Sequence, residues 1–425
     1  MRRRVDGSIV GSRRNSSLTI IAGLTVSLLA PGHQARAGNL ISFIGNLYGG
    51  QGITLSDEGL PPNASHAHHF SEQAIQQLDS LSNSVASGLN LTSFTPTTAV
   101  GIVYNIELGL PVTTTESLGT IVSERAETLG EGKLNLAMAY SHATYTTFNG
   151  APLSDVSVLL NHAPFPGCSS PQDTLTFPGG FRLSCDFIKD QIRLDINTDL
   201  SQDVVAFYGT YGITSNWDAT FVLPVVHTHA VATSDATIIY NSTTGPMVHT
   251  FVGAPTSPHS VSGGDATGIG DIILHSKYNF LRGDPSWPDL AVSGIVKVPS
   301  GDKNNLLGTG STDLVGLAVL SKQMDWVAPH LNLGYQQAFG GLDRSAFIYA
   351  VGADFTSADR RVTPVLDFVG RVYSGNQQLH DMGLGLKWNP FGSSVFSVNF
   401  LIPVNRDNGL RPNFVASVGY QLTFW

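Results

Sequence analysis

The sequence predicts an all-β protein: a transmembrane antiparallel β-barrel of the bacterial outer membrane with about 12 strands. Three observations support this prediction: segments in which apolar residues alternate with small or polar ones, connections that alternate between short and long, and a composition with few charges. Only 13% of the 425 residues are charged and 45 are Gly. No internal stretch approaches the ~20 apolar residues of a membrane helix. The chain also lacks a basic patch, which argues against a nucleic-acid partner.

The beginning of the chain predicts export. Five arginines precede an apolar run at residues 18–29, and Ala35 and Ala37 supply the small residues of a cleavage site. We therefore expect residues 1–37 to be a signal peptide that is cleaved after Ala37. Cleavage would remove six Arg and one Asp, so the net charge would change from −9 to −14. Anionic partners are not expected to be attracted by such an acidic chain.

Residues 38–131 are predicted to form an N-terminal segment that precedes the barrel. Its apolar residues at helical spacing are Phe70, Ala74, Leu78, Leu81 and Val85. With Ser71 as a possible N-cap and Gly88 as a stop, they predict a helix over residues 71–87. This helix could plug the lumen or lie at the periplasmic mouth, and the pattern does not distinguish the two.

Two further features of the sequence bear on metals and oxidation. His66, His68 and His69 could bind a metal, but the Asn, Pro and Ser residues around them favour a solvated loop, so neither a metal site nor a cofactor is predicted. Cys168 and Cys185 flank a loop rich in Gly, Pro and Ser. We expect a disulfide between them, which would close a loop of about 18 residues and contribute ~3 kcal/mol.

The barrel itself is predicted over residues 132–425, where alternation recurs. Examples of the apolar positions are Leu134, Leu136, Met138 and Tyr140; Ile272, Leu274, Tyr278 and Phe280; Met382, Leu384, Leu386 and Trp388; and Phe414, Ala416, Val418, Tyr420, Leu422 and Phe424. The opposite face mixes glycines, amides and isolated charges. Because side chains alternate across a strand, this pattern is typical of a barrel with lipid outside and a polar lumen inside.

The number of strands depends on two ambiguous stretches. Treating residues 188–213 as one strand gives twelve, although the apolar positions in it shift from even numbers (Ile192, Leu194, Ile196) to odd ones (Val205, Phe207, Tyr211). Either a bulge lies near Ser201 or the chain turns there. A turn there, together with a strand at residues 100–108, would give fourteen. Twelve is preferred because it keeps the disulfide loop outside.

The links between the strands predict the orientation. The short links are residues 214–216, 323–326, 357–360 and 389–393. The other set is generally longer and comprises residues 149–186, 232–268, 299–310, 340–343, 374–379 and 404–413. Outer-membrane barrels have short periplasmic turns, so the C-terminus is placed in the periplasm. Every tryptophan then lies at a periplasmic strand end, as an aromatic girdle would: Trp217, Trp287, Trp326, Trp388 and Trp425.

The predicted lumen carries the candidates for a solute path. They are Asp271, His275, Lys277, His330, Arg361, Asp367, Arg371, Asp381 and Lys387. Interior charges can also pair simply to fill a narrow barrel, and this alternative stays open. No catalytic residue is predicted. His142 lies in the outward phase of its strand, as in an outer-membrane lipid hydrolase, but Thr144 stands where such an enzyme has its Ser, and no third partner is evident.

Several segments in order resemble the outer-membrane family named for the meta pathway of phenol degradation. They are SERAETLGEGKLNLAMAYSHATYTTFNG (123–150), YGITSNWDATFVLPVV (211–226), GIGDIILHSKYNF (268–280), VPSGDKNNLLGTGSTD (298–313) and APHLNLGY (328–335). The likeness extends from about residue 38 to the C-terminus. It departs at Trp425, because the usual terminal aromatic corresponds to Phe424. The family is distantly similar to FadL-type hydrocarbon channels.

This resemblance implies an outer-membrane channel for small, often hydrophobic or aromatic compounds, and no enzyme activity. The alternatives are a structural barrel or an adhesin that acts through its loops and, less favoured, a lipid hydrolase. The expected partners are outer-membrane lipid, a small-molecule solute and the barrel-assembly machinery, which would recognise the C-terminal strand.

Overall fold

The structure is a computed structural model of the chain. It describes residues 39–50, 52–57, 65, 67–89, 102–105, 110–113, 118, 122–253, 258–284, 286–340, 345–391 and 394–424. The predicted signal peptide, His66 and Trp425 lie outside these ranges. Within them, no helix is both long enough and apolar enough to cross a membrane.

Strands dominate the described residues, and helices are few. The helices are α1 (Ser71–Leu89) and α2 (Gly245–Val248), with 3-10 turns at Leu40–Ser42, Leu47–Gly50, Cys185–Lys189 and Lys303–Asn305. The strands are β1 (Ile102–Asn105), β2 (Leu110–Thr113), β3 (Leu134–Phe148), β4 (Ala151–Pro152), β5 (Val156–Asn161), β6 (Thr174–Thr176), β7 (Arg182–Ser184), β8 (Gln191–Thr214), β9 (Trp217–Ile239), β10 (His259–Ile269), β11 (Ile272–Leu281), β12 (Asp289–Val298), β13 (Thr312–Ser321), β14 (Val327–Phe339), β15 (Ala346–Phe355), β16 (Val362–Tyr373), β17 (Gln378–Trp388), β18 (Ser394–Pro403) and β19 (Leu410–Phe424).

A closed ring of 12 antiparallel strands forms the barrel, which confirms the predicted fold class. The ring contains β3, β8, β9 and β11 to β19, and it closes where β19 pairs with β3. The last strand therefore has no open edge. Of residues 100–108, the structure describes 102–105, which form β1. The hairpin β1–β2 pairs with the end of β19, where Tyr104 lies opposite Phe424, and β1 takes no place in the ring.

Strands β10 and β11 pair one after the other with the same neighbouring strand, β9. Ile269 in β10 pairs with Val225 in β9, and Ile273 in β11 pairs with Val222. The β10–β11 side thus has one more residue than the β9 side, as in a β-bulge. The irregularity lies opposite Pro224, which has no backbone N–H, and the Gly270 N–H donates to the Pro224 carbonyl at 2.9 Å. The predicted external link at residues 232–268 is consequently shorter, at residues 240–258.

The outer surface of the barrel is apolar, as the alternation predicts. On β3, Leu134, Leu136 and Met138 are exposed, whereas Asn135 and Ala139 are buried inside. The same division holds on the neighbouring strands, and an exposed apolar band of this extent requires lipid around it. The end of the barrel that carries the long links is called the outer end below.

Neither of the two alternatives for Ser201, a bulge or a turn, is present in the structure. Strand β8 pairs with β9 in unbroken register through this position, and its even-numbered side chains point inward along the whole strand. What changes is the environment. Near the outer end, Ile192 and Leu194 pack inward and the outward side chains are polar; lower down, the outward side chains Val205 and Phe207 face lipid.

The inward apolar side chains at the outer end pack against the N-terminal segment. Residues 39–50, 52–55 and 67–89 form the outer plug, which includes α1, two residues longer than predicted. Buried Phe43, Leu78 and Val85 of this plug share one core with Ile192 and Leu410 of the wall. Of the two placements left open by the sequence, the helix occupies the lumen, near its outer end.

Candidate functional site

A second segment lies inside the other half of the barrel. Residues 122–129, called the inner plug, have no regular secondary structure, yet Ser123, Glu124, Arg125, Glu127 and Thr128 are buried. A buried segment without its own backbone hydrogen bonds must receive them from its surroundings. The barrel wall provides them.

Amide and hydroxyl side chains of the wall bind the backbone of the inner plug. The Asn332 amide brackets Glu124: its Oδ1 accepts from the Glu124 N–H at 2.7 Å, and its Nδ2 donates to the Glu124 carbonyl at 2.8 Å. The Asn279 Nδ2 donates to the Ala126 carbonyl at 2.8 Å, and the Ser321 Oγ accepts from the Ala126 N–H at 3.0 Å. Side chains thus take the place of a neighbouring strand.

Charged wall residues complete these contacts with the inner plug. Arg125 donates to Asp354 at 3.1 Å and to Glu127 of the plug itself. Ser123 Oγ lies 2.7 Å from His330 Nε2 and donates to Asp367 at 2.6 Å. Buried charges of this kind are stable only when they are paired and hydrogen-bonded. The inner plug is therefore held by a dense and specific set of contacts.

Most of the predicted path residues contact residues 118–125. Lys277 donates to the Arg125 carbonyl at 3.1 Å, Lys387 to the Leu118 carbonyl at 3.2 Å, and His275 lies 3.3 Å from Glu124. His330 and Asp367 contact Ser123, as described above. These partners could not be predicted, because alternation predicts which way a wall residue points and not what fills the lumen.

The remaining predicted path residues lie elsewhere. Asp381 pairs with Arg411 at 2.5 Å near the outer end, and Arg371 points inward on β16. Arg361 is exposed in the turn before β16, so its orientation towards the lumen stays a prediction. A turn residue leaves the strand and does not follow its alternation.

Beside the outer plug, the lumen contains a cavity of ≈ 100 Å³. Strands β3, β8 and β9 form most of its wall, Leu89 of the outer plug borders it, and the loop that contains Leu306 and Leu307 covers another side. Its apolar lining residues are Leu89, Ala143, Val204, Ala206, Val222, Pro224, Val226, Ile273, Leu306, Leu307 and Val415.

The polar residues that border this cavity fall into two groups: Ser141, Tyr145, Gln202 and Tyr208 lie along β3 and β8, whereas Asp271, Lys297 and Thr309 are bound to one another. Lys297 lies 2.7 Å from Asp313 and 3.6 Å from Asp271, and Asp271 accepts from the Thr309 hydroxyl at 2.7 Å. Asp271 is the one predicted path residue that lines this cavity. The cavity can therefore accept a small, mainly apolar molecule with a few hydrogen-bonding groups.

The outer surface carries two predicted features. Trp217, Trp287, Trp326 and Trp388 are exposed near the short-turn end. His142, near the outer end, contacts a residue that the sequence did not suggest: Nδ1 lies 2.8 Å from Asp203, and Nε2 lies 3.2 Å from the Thr144 hydroxyl. Asp203 is 61 residues away in the chain but directly opposite on the adjacent strand.

The external loops contain the predicted disulfide and an unexpected histidine cluster. Cys168 and Cys185 are bonded and pack against Phe187. His69 was predicted to lie in a solvated loop, but it packs against His162 and Phe165 in a half-buried cluster. A local stretch rich in Asn, Pro and Ser cannot reveal such a partner from a distant loop.

Fold and interior together define a class: a transmembrane β-barrel whose lumen holds two plugs.

No family model matches the chain, so the predicted family is not confirmed, and no curated protein matches it. Solved structures give distant likenesses. An outer membrane channel from Pseudomonas putida F1 has 11% identity and a TM-score of 0.40, over 70% of this chain and 98% of that one. The toluene transporter TbuX of Ralstonia pickettii has 11% identity and a TM-score of 0.34, over 70% of this chain and 90% of that one. The CymD monoaromatic hydrocarbon channel has 9% identity and a TM-score of 0.34, over 69% of this chain and 89% of that one. Because these likenesses are so distant, function is inferred from the site alone.

Proposed function

We propose that this protein is an outer-membrane channel for small hydrophobic or aromatic compounds. The observation that supports this function is the mainly apolar cavity inside a closed barrel, beside plug segments of the same chain. A barrel that served only as a scaffold would have no need of such a chamber. The cavity of ≈ 100 Å³ is smaller than the ~150 Å³ apolar cavity that binds benzene, so it suits a solute no larger than a single ring.

Passage through this channel requires the plugs to move. The wall residues His275, Lys277, His330 and Asp367 would hold the inner plug in the closed state, and Lys387 would hold Leu118 just before it. These wall residues would become a polar path when the plug leaves. Removal of the outer plug alone would then leave the inner plug in place. We therefore assign the barrier to both plugs.

Bilayer recordings on the purified barrel test this assignment. Three variants are compared with the full chain: deletion of residues 39–89, replacement of residues 122–129 by a Gly/Ser segment of equal length, and both changes together. We expect small, intermittent currents from the full chain and from each single variant, and large, steady currents from the double variant. Heat-modifiable migration on gels serves as the control for folding.

Solute flux distinguishes this channel from the other functions. Vesicles that contain the double variant should admit toluene-sized aromatic compounds faster than charged compounds of the same size. A folded double variant that stays electrically silent and passes no solute would contradict the channel. It would favour a structural barrel or an adhesin that binds through its external loops.

Cellular placement belongs to the same proposal. Export by a cleaved signal peptide, insertion into outer-membrane lipid and recognition of the last strand by the barrel-assembly machinery are consistent with the closure of β19 on β3. Membership in the meta-pathway family is also proposed, on the motifs quoted above. Deletion of Phe424 and Trp425 should sharply reduce the folded fraction in cells, and normal folding would rule out their role in assembly.

One observation favours a second candidate function, hydrolysis of lipid esters. Thr144, His142 and Asp203 form a hydroxyl–imidazole–carboxylate chain on the lipid-facing surface, the order of groups used for nucleophilic catalysis. If this chain is active, purified protein should release fatty acid from phospholipid micelles, and T144A and H142A should abolish the release. Release by both variants at the level of the unmodified protein would exclude this activity.

A further inference from the structure

Three imidazoles from distant parts of the chain meet at the outer end of the barrel. His69 belongs to the outer plug, His162 follows β5 in the first external loop, and His249 follows α2 in the second. The ring centroids of His69 and His162 are 4.6 Å apart, and those of His162 and His249 are 5.0 Å apart. The rings of Phe70, Phe165 and Phe187 pack around them.

Hydrogen bonds fix how two of these rings are protonated. The His162 Nδ1–H donates to the Ala163 carbonyl at 2.5 Å, so its lone pair is on Nε2. The His249 Nδ1–H donates to the buried Asp190 carboxylate at 2.9 Å, so its lone pair is also on Nε2. A histidine that binds a metal typically donates its other N–H to a carbonyl or a carboxylate in this way.

The first two nitrogens are already close to the spacing of metal ligands. His69 Nδ1–H donates a hydrogen bond to His162 Nε2 at 3.0 Å. Two nitrogens bound tetrahedrally to one ion at ~2.0–2.1 Å lie roughly 3.4 Å apart, so a shift of a few tenths of an ångström would admit the ion between them. His69 would then carry its proton on Nε2. Among the described residues, no three His, Cys, Asp or Glu side chains surround a common point yet, so the ion must also draw in His249.

We propose that His69, His162 and His249 bind one divalent transition-metal ion at the outer end of the barrel. Imidazole ligands favour Zn²⁺, Cu²⁺ and Ni²⁺ over Mg²⁺ and Ca²⁺. The ion fastens the outer plug to two external loops at once, and Asp190 acts as a positioning residue that orients His249.

The protonation of the cluster suits this role. Burial is the main cause that lowers the pKa of His69 to about 4. Burial likewise lowers the pKa of His162 to about 3, although its bond to the Ala163 carbonyl opposes the shift. Both rings are therefore neutral at pH 7 and can bind a cation without first losing a proton.

Metal titration of the purified, folded full barrel tests the proposal. Isothermal titration with Zn²⁺ should show one site per barrel, and Mg²⁺ and Ca²⁺ should show none. The H69Q/H162Q double variant should lose this site, while D190N should weaken it by about 10- to 100-fold because it disturbs the orientation of His249. The matched control is H227Q/H229Q, which removes two histidines of the outer barrel surface and should leave Zn²⁺ binding unchanged.

A measurement on the unmodified protein removes the dependence on folded variants. Bound Cu²⁺ should give an electron paramagnetic resonance spectrum with hyperfine coupling to two or three imidazole nitrogens. The proposal fails if the unmodified barrel binds no stoichiometric Zn²⁺, if H227Q/H229Q removes the binding, if H69Q/H162Q retains it, or if the Cu²⁺ spectrum lacks this nitrogen coupling.

Discussion

The bracket that Asn332 forms around Glu124 gives the sharpest test of the inner plug. Asn332→Leu keeps the size of the side chain but removes both hydrogen bonds to the plug backbone. Each is worth about 1 kcal/mol net, and the abandoned N–H and carbonyl stay buried while the plug is closed. A loss of about 2 kcal/mol from the closed state corresponds to a roughly 30-fold rise in the open fraction.

Single-channel recording measures that fraction directly, as the share of time spent open. The matched control is Asn399→Leu. Asn399 is a buried amide on β18, and none of its contacts among the described residues supports the inner plug. In the background that lacks residues 39–89, where the inner plug alone closes the channel, we expect N332L to open about 30 times more often than the same deletion without it, and N399L to change little. Equal opening of the two variants would refute the idea that these hydrogen bonds hold the channel closed.

Three further predictions concern the outer end. Replacing Cys168 and Cys185 by Ser should destabilise the first external loop by ~3 kcal/mol and increase its proteolysis, with the thermal midpoint of the barrel unchanged. A protease site inserted at Gly253 should be cut on intact cells and one at Ala358 should not, and the reverse pattern would invert the orientation. Acidification should weaken the docking of the outer plug, because the pKa of His162 is about 3 in the folded protein and ordinarily near 6.5. The docked state therefore binds fewer protons, and its stability should fall as the pH drops below 6.5 towards 3. Deuterium uptake by α1, corrected for intrinsic rates, should rise between pH 7 and pH 4.5.

The sequence predicts the barrel well because lipid imposes a period of two on the outward side chains. Leu134, Leu136 and Met138 are exposed as that period requires. The same rule fails on β8, where the apolar side switches from outward to inward. It assumes one environment along the strand, whereas this strand passes from lipid into water, and its inner face meets the outer plug.

The inner plug could not be predicted, for a different reason. Arg125 and Asp354 are 229 residues apart in the chain, and the charged segment around Arg125 has the composition of a solvated linker. Only the closed barrel brings such partners together. The same holds for the pairing of His142 with Asp203, which depends on the register between two strands.

The two longest strands determine where a solute first meets the protein. Strand β8 has 24 residues, which at ~3.3 Å each and a tilt of ~45° reach a height of roughly 55 Å. The apolar band of such barrels is only ~25 Å tall. About half of this wall therefore extends beyond an apolar band of that height. If the protein is the channel proposed above, a hydrophobic solute would meet this extended collar before it reaches the membrane.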